Sequence, residues 1–412
     1  MTILKTDTVS GIGTEGTVFE GDITFDSLNY MTLPKGTTNQ RVNSAGGRAV
    51  IPGGYNPAGS PNAAKSLNTI EYIEINTTGH AKDFGDLSYG SASGGTCSSS
   101  TRAVTGGSYV APSITGSLNT MSYFTIATLG DGTNFGDLTV ARGYVSSLSS
   151  DTRGIWAGGA GGPSSPYVQS DVSVTDYVTI ASEGVDASDF GELIDQGYMG
   201  DTACSSPTRG VIAGGNPTTN VIQYVTIASI GVAKDFGDLI AASIAPGAAS
   251  SSTRGIFCGS CPGAPAYTSL NHIDYVTIAS TGNAVDFGDG SFGFVRCAAG
   301  SNNVSSLIAG RQGPADDYQS QAIQKFNMAS GGNAINFGEL TASRAVGNSA
   351  VTNGTRAVWG GGFTDPTAAN MLTMIDYIEF ATSGSAETFG DMNIKRDFYT
   401  AINDTHGGLG GF

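Results

Sequence analysis

Residues 272–289 read HIDYVTIASTGNAVDFGD, and versions of this stretch recur along the chain. Seven copies align on the phenylalanine of a closing Phe-Gly-Asp/Glu sequence, here called the FG motif, with 46 to 55 residues between successive copies: Phe84, Phe135, Phe190, Phe236, Phe287, Phe337 and Phe389. A period of about 50 residues built from short β-type segments is typical of a β-propeller, in which each repeat forms a four-stranded blade. The sequence therefore predicts an all-β ring.

Composition supports one folded ring rather than several domains, because the repeat fills most of the 412 residues. The hydrophobic fraction of 39% argues against disorder, and the net charge of −16 argues against binding to a phosphate backbone. Glycine is abundant, with 61 residues, as a fold with many tight turns requires. No run of 18 apolar residues occurs, so we expect no membrane-spanning helix.

Each repeat is interpreted as four strands, a to d. Strand a follows an arginine in several copies, strand b begins with an arginine and ends in glycines, and strand c contains a tyrosine, with Phe326 at or near that position in one copy. Strand d is expected to start just after the FG motif. We assign residues 41–412 to the propeller. We expect residues 1–40, with strand-like stretches at 17–25 and 28–34, to form an N-terminal attachment and ring-closure segment.

The two chain ends raise the question of blade number. The final THGGLGGF aligns with TRGIWAGG of residues 152–159, which makes eight copies of strand b against seven of strand c. An unpaired half-blade would expose a sheet edge. We therefore expect residues 396–412 to pair with residues 17–34 in an eighth, composite blade. The alternative is a ring of seven blades with both termini free.

The order of these features resembles the kelch repeat of the galactose oxidase type over roughly residues 41–412. In that family two glycines end strand b, as Gly158-Gly159 do here, a tyrosine lies in strand c, and a tryptophan usually stands where this chain has the FG phenylalanine. The resemblance implies a β-propeller and says little about function. Copper chemistry of the galactose oxidase kind is not expected, because His80, His272 and His406 fall at unrelated repeat positions.

The recurring charged residues are predicted to form structural ion pairs within or between blades. They are the strand-b arginines and the acids of the FG motifs: Arg102, Arg153, Arg209, Arg254, Arg356, Asp86, Asp137, Glu192, Asp238, Asp289, Glu339 and Asp391. We expect no catalytic, cofactor or metal site. Cys97 and Cys204 are expected in the core, and Cys258 with Cys261 forms a C-x-x-C that no second pair completes.

The connections between strands b and c vary in length, whereas the c–d turns are nearly constant. The b–c connections should share one face of the ring with the d–a connections, and such a varied face suits recognition. Aromatic residues recur there and are predicted to contact glycans or partners, although they could instead pack over neighbouring loops: Tyr55, Tyr109, Tyr167, Tyr267, Tyr318 and Phe363.

The repeat YVTIAS-x-G-x-A-x-DFG-D-L, together with GTVFEGDITF at residues 16–25 and LPKGTT at 33–38, resembles virion structural proteins of tailed bacteriophages. That resemblance implies a non-enzymatic protein of the tail fibre, baseplate or head decoration. It would be present in many copies and contact other virion proteins and host-surface glycans. The N-terminus has no apolar signal segment, so we expect assembly in a host cytoplasm. The alternatives are a carbohydrate-active propeller enzyme and a bacterial kelch-like scaffold.

Overall fold

The computed structural model describes residues 47–56, 66–109, 117–161, 170–195, 203–244, 246–260, 270–293, 297–302, 304–310, 320–345, 350–364, 370–382, 384–397 and 399–403. All of them belong to a compact unit that runs from Asn43 to Phe412. The predictions for residues 1–40 and for the final THGGLGGF fall outside the described residues. No helix in the described part of the chain is long and apolar enough to cross a membrane.

Seven four-stranded antiparallel sheets form the blades of a β-propeller, as the repeat predicts. Blade 1 contains β1 (Arg48–Pro52), β2 (Leu67–Glu74) and β3 (Lys82–Ser91). Blade 2 consists of β4 (Gly95–Ser98), β5 (Arg102–Tyr109), β6 (Ser117–Thr125) and β7 (Thr133–Asp137). Blade 3 consists of β9 (Ser146–Ser149), β10 (Arg153–Ala157), β13 (Val174–Thr179) and β14 (Ser188–Glu192). A small separate sheet joins β8 (Arg142–Gly143), β11 (Ala160–Gly161) and β12 (Ser170–Asp171).

The remaining blades repeat the same plan, and the last strand returns to blade 1. Blade 4 consists of β15 (Ala203–Ser205), β16 (Arg209–Ala213), β17 (Thr219–Thr226) and β18 (Lys234–Ser243), and blade 5 of β19 (Gly247–Ser250), β20 (Arg254–Ser260), β21 (Leu270–Thr277) and β22 (Val285–Asp289). Blade 6 consists of β23 (Ala298–Ser301), β24 (Ser305–Ala309), β25 (Ser320–Asn327) and β26 (Ile335–Arg344), and blade 7 of β27 (Ala350–Thr352), β28 (Arg356–Gly360), β29 (Met374–Glu379) and β30 (Glu387–Asp391). The last strand is β31 (Ile402–Asn403).

The FG motif lies inside strand d, not before it as the sequence suggested. In blade 5 the motif forms the end of β22, where Gly288 pairs with Ile273 of strand c and the register then shifts by one residue. The glycine has φ of +142°, a conformation that residues with a side chain rarely adopt. This irregularity places Phe287 at 2% exposure, edge-on to Tyr275 with 5.8 Å between the ring centroids.

The hydrophobic core lies between blades rather than within one. Leu148 and Ile155 of blade 3, for example, pack with Ile212 and Val225 of blade 4. The face of each sheet is therefore covered by the next sheet, and the ring buries its apolar strands without needing a helix.

The ring closes with seven blades, which is the alternative left open by the sequence. Strand β31 pairs with β1 and so completes blade 1 as its strand a. Nearby, the Tyr399 hydroxyl donates to the carbonyl of Gly360 at 2.5 Å, and the Asn403 amide donates to the carbonyl of Thr352, both in blade 7. The preferred eighth blade was wrong because the C-terminal repeat contributes one short strand to an incomplete sheet. No eighth four-stranded sheet occurs among the described residues.

Candidate binding face

The connections at the two ends of the strands differ sharply in regularity. The a–b connections of blades 2 to 7 have three residues each, and the c–d connections have seven, except for eight in blade 3. The b–c connections range from five residues in blade 4 to 16 in blade 3. We call the first end the turn face and the end with the b–c and d–a connections the loop face.

The turn face is regular because similar contacts recur from blade to blade. In blade 5 the Ser251 hydroxyl accepts the backbone N–H of Arg254 at 3.0 Å, and Ser or Asn does the same in blades 2 to 7. Between blades, the N–H groups of Gly282 and Ala284 donate to the carbonyls of Phe236 and Asp238 at 2.7 and 2.8 Å. Equivalent bonds link blade 7 to blade 1, through Gly79 and Ala81, so these contacts run across the closure as well.

The FG glycines are required for this close approach. A Cβ added to Gly237 would lie 2.5 Å from the carbonyl carbon of Gly282 in the next blade. The turn face is thus determined by packing around the ring, and its sequence has little freedom to change.

The loop face carries structure that differs from blade to blade. In blade 3, β11 and β12 extend the b–c connection into a hairpin, and β8 of the incoming d–a connection pairs with β11. In blade 4 the b–c connection spans only residues 214–218. Variation of this kind on a rigid ring leaves the fold unchanged, so the loop face is the candidate binding face.

The predicted aromatic residues of the loop face are only partly open to solvent. Phe363 is 2% exposed and packs with Ala345 and Met371, and Tyr55 covers the same cluster. For Phe363 this burial favours the alternative of packing between loops over contact with a glycan or partner. Tyr109 is half-buried, with its ring 5.7 Å from that of Tyr144. The other three, Tyr167, Tyr267 and Tyr318, lie outside the described residues.

The strand-b arginines bind differently from the predicted ion pairs. Arg254 stacks 4.7 Å from the ring centre of Tyr275, and its Nη1 donates to the carbonyl of Met328 in the next blade at 3.1 Å. The same two contacts are made by Arg48, Arg102, Arg153, Arg209 and Arg356. Each arginine thus stacks on a tyrosine of its own blade and fastens that blade to the next through a backbone carbonyl.

The acids that pair with these arginines are not those of the FG motif. Arg48 bonds Glu74 at 2.7 Å, Arg102 bonds Glu183 at 2.6 Å, and Arg356 bonds Glu379 at 3.3 Å. Among the described residues no ion pair joins a strand-b arginine to an FG acid. Of those acids Asp391 lies beside His80, whose Nδ1 accepts the Asp391 N–H at 3.1 Å and stands 3.5 Å from its Oδ2. Asp131, Asp186, Asn283 and Asn333 accept the equivalent N–H in other blades.

Blade 6 replaces both residues of the arginine–tyrosine contact. Ser305 replaces the arginine, and Lys325, not Phe326, stands in the tyrosine position opposite Leu307. The Lys325 ammonium lies 4.7 Å from the ring centre of Phe337 and donates to the carbonyl of Phe380 in blade 7 at 2.6 Å. A cation therefore still crosses to the next blade, although it comes from strand c instead of strand b.

Three buried ion pairs below the loop face were missed by the sequence interpretation. Each joins the arginine that stands seven residues after an FG phenylalanine to the acid that precedes the tyrosine of strand c in the next blade. The pairs are Arg142–Asp176 at 3.0 Å, Arg344–Asp376 at 3.0 Å, and Arg396–Glu71. All six side chains are at most 3% exposed. The signal for these pairs in the sequence is the arginine that precedes strand a in several repeats.

Asp176 shows what such a pair does. Its two oxygens accept the backbone N–H of Thr139 at 3.1 Å and the Thr139 hydroxyl at 2.6 Å, so it fixes the segment that arrives from blade 2. Arg142 then donates to Asp176 and to the carbonyl of Trp156 at 3.2 Å. Burial lowers the pKa of Arg142, and the attraction of Asp176 opposes that shift.

The prediction that Cys97 and Cys204 lie in the core is confirmed. Cys97 and Cys204 are 1% and 3% exposed, and burial raises the pKa of each thiol to about 12, so both act as small apolar residues. Cys258 and Cys297 are also buried and free. Cys261 lies outside the described residues. No cluster of three metal-ligating side chains occurs in the described part of the chain.

Comparison of the chain with models of known protein families finds no match, and comparison with curated proteins finds no significant match.

Proposed function

We propose that the protein is a non-enzymatic binding scaffold whose loop face recognises a partner while the turn face and the blade interfaces hold the ring. The observation that carries this proposal is the contrast between b–c connections of five to 16 residues and c–d connections of seven or eight. The strand-b arginines have a structural role, because they fasten blades together, and the backbone of the FG motif accepts hydrogen bonds from the next blade.

In its most specific form, the proposal is that the protein is a virion component of a tailed phage, displayed on the tail fibre, baseplate or head. The repeat wording and the segments at residues 16–25 and 33–38 support this through their resemblance to such proteins. A rigid ring with a varied face suits attachment to host glycans or to neighbouring subunits. Many copies per particle would make individually weak contacts effective.

Mass spectrometry of purified phage particles, followed by immunogold labelling with antibody against the intact ring, tests the virion proposal. We expect the protein at many copies per particle, with gold at a defined place on tails or heads. A protein that is absent from the particles contradicts the virion proposal. The scaffold proposal would then be judged separately, by binding of the labelled protein to host cells and by its failure to hydrolyse an oligosaccharide panel.

A further inference from the structure

The ion-pair position below the loop face follows a rule in six of the seven blade interfaces. The residues seven places after the FG phenylalanines are Ser91, Arg142, Gly197, Ser243, Phe294, Arg344 and Arg396. The residues before the strand-c tyrosine position in the following blades are Ser122, Asp176, Gln223, Asp274, Gln324, Asp376 and Glu71. In the sequence every arginine is matched by an acid, and three of the four other residues are matched by Ser or Gln. Blade 5 alone breaks the rule, because Asp274 faces the position of Ser243.

In a blade that lacks the arginine, a glutamine can hold the incoming segment. Gln223 accepts the N–H of Ile194 at 2.8 Å and returns a hydrogen bond from its amide to the carbonyl of Asp195 at 3.1 Å. A neutral side chain can therefore hold the incoming segment without leaving a charge in the blade interface. Asp274 holds the segment in the same way, by accepting the N–H of Ile240 at 3.1 Å, yet it is an acid.

Asp274 is buried with half of its hydrogen-bonding capacity unused. The residue is 2% exposed, and its Oδ1 has no hydrogen-bond partner. Ile240 stands where Thr139 and Thr341 supply a hydroxyl to the acids of blades 3 and 7. The Ser243 hydroxyl, 1% exposed, is also without a partner. Burial raises the pKa of Asp274, opposed by the Ile240 N–H and by His272, while Asp286 adds to the rise.

The backbone supplies a third oxygen at this place. Phe257 pairs with Asp274 in the register that joins Trp156 to Asp176. In blade 3 the carbonyl of Trp156 accepts Arg142, and in blade 7 the carbonyl of Trp359 accepts Arg344. Because the register is the same, the Phe257 carbonyl stands in blade 5 where these carbonyls accept an arginine, and it could accept a cation there.

We propose that blade 5 binds a small monovalent cation where blades 1, 3 and 7 hold an arginine side chain. Its ligands are the Asp274 carboxylate, the Ser243 hydroxyl and the Phe257 carbonyl. This combination of one buried charge and neutral oxygens matches a single positive charge, and the guanidinium group of the other blades shows the size and position that the interface accepts.

Thermal melting of the full chain tests the proposal, with guanidinium, potassium or sodium added at millimolar concentration and tetramethylammonium keeping the ionic strength constant. We expect a saturable rise in Tm. At tenfold excess over Kd the folding equilibrium constant should increase about elevenfold. A response to guanidinium alone would indicate recognition by hydrogen bonds, and a response to potassium or sodium as well would indicate coordination by the oxygens. Either supports the site.

Two variants make the test specific. Asp274→Asn copies the neutral glutamines and should remove the response. Ser243→Arg with Ser260→Gly should also remove it, because it restores the arginine. The glycine is included because Gly54 and Gly159 stand at that position in blades 1 and 3, where a Cβ would lie 3.1 Å from Arg396 Cβ and 3.5 Å from Arg142 Cδ.

Arg142→Ser serves as the positive control, since it opens the same place beside Asp176 and should gain a guanidinium response. If the unaltered chain and Asp274→Asn respond equally to every cation, the proposal is wrong.

Discussion

The turn face and the loop face are built from the same seven repeats, yet they obey different constraints. On the turn face, a Cβ on Gly237 would meet the next blade at 2.5 Å, and backbone hydrogen bonds recur between blades. On the loop face, blade 3 carries a hairpin where blade 4 needs five residues. The difference shows that contacts between blades restrict the sequence of the turn face, while the connections of the loop face can change in length and sequence without opening the ring.

Removal of the closing segment should have the largest effect on that architecture. A chain ending at Lys395 lacks β31 and loses the buried contact of Arg396 with Glu71, together with the Arg396 bond to the carbonyl of Gly53 at 2.6 Å. We expect loss of the cooperative thermal transition, because blade 1 would lack its strand a and expose an edge. A synthetic peptide of residues 396–412 should restore the transition. An unchanged melt of the shortened chain would show that the closure is dispensable.

The next largest effect is expected at the ion pair of blade 3. Asp176→Asn leaves Arg142 buried without its opposite charge and should reduce the free energy of unfolding by about 3–5 kcal/mol. Asp274→Asn is the matched substitution in blade 5 and should change it by less than about 1 kcal/mol, because the amide oxygen still accepts the Ile240 N–H. Urea denaturation measures both. Equal losses would refute the distinction between the two interfaces.

The close approach on the turn face can be tested with two glycines of similar backbone conformation. Gly237 has φ of +144° and Gly282 has +157°, but a Cβ on Gly282 has open space within 4 Å. Gly237→Ala should therefore cost about 1–3 kcal/mol more than Gly282→Ala. Because the cost of a positive φ is common to both, their difference isolates the contact between blades. A difference near zero would mean that the ring adjusts freely.

A smaller, pH-dependent effect is expected from Asp274. Its pKa is raised from the ordinary 3.8 by burial, so the folded chain holds this proton more tightly than the unfolded chain. The stability of the unaltered protein relative to Asp274→Asn should be greatest below about pH 4 and fall as the pH rises through the raised pKa. His272, Asp286 and the Cys258 thiol face this carboxyl and remain in both proteins. A pH-independent difference in urea stability, measured in tetramethylammonium buffer, would contradict the shift.

Much of the fold was predictable because the same strand pattern recurs in each of the seven repeats. The period, the tyrosine of strand c and the glycines of the FG motif predict four-stranded blades and one uniform face. The closure was harder, since residues 405–412 resemble strand b while the strand that closes the ring is Ile402–Asn403, a strand a of two residues. A sequence pattern does not show which short strand reaches back to pair with β1.

The candidate site was only partly predictable for a similar reason. Arg142 lies in the connection before strand a of blade 3, and Asp176 lies 34 positions later in strand c, so their contact depends on how that connection packs against the blade. The replacement of the arginine by Ser305 and of the tyrosine by Lys325 can be recognised only when the strand register identifies which residue stands in the tyrosine position. Likewise, the burial of Phe363 depends on Met371 and on Tyr55, which stands more than 300 residues earlier in the chain.

The most direct test of the division between the faces is a pair of exchanges within blade 3. In the first, the b–c connection at residues 158–173 is replaced by residues 214–218 of blade 4. In the second, the c–d connection at residues 180–187 is replaced by residues 227–233 of blade 4. Binding of the labelled proteins to host cells or to purified particles is then measured alongside thermal melting. We predict that both variants melt cooperatively and that only the first loses binding. Loss of binding in the second with retention in the first would contradict the account.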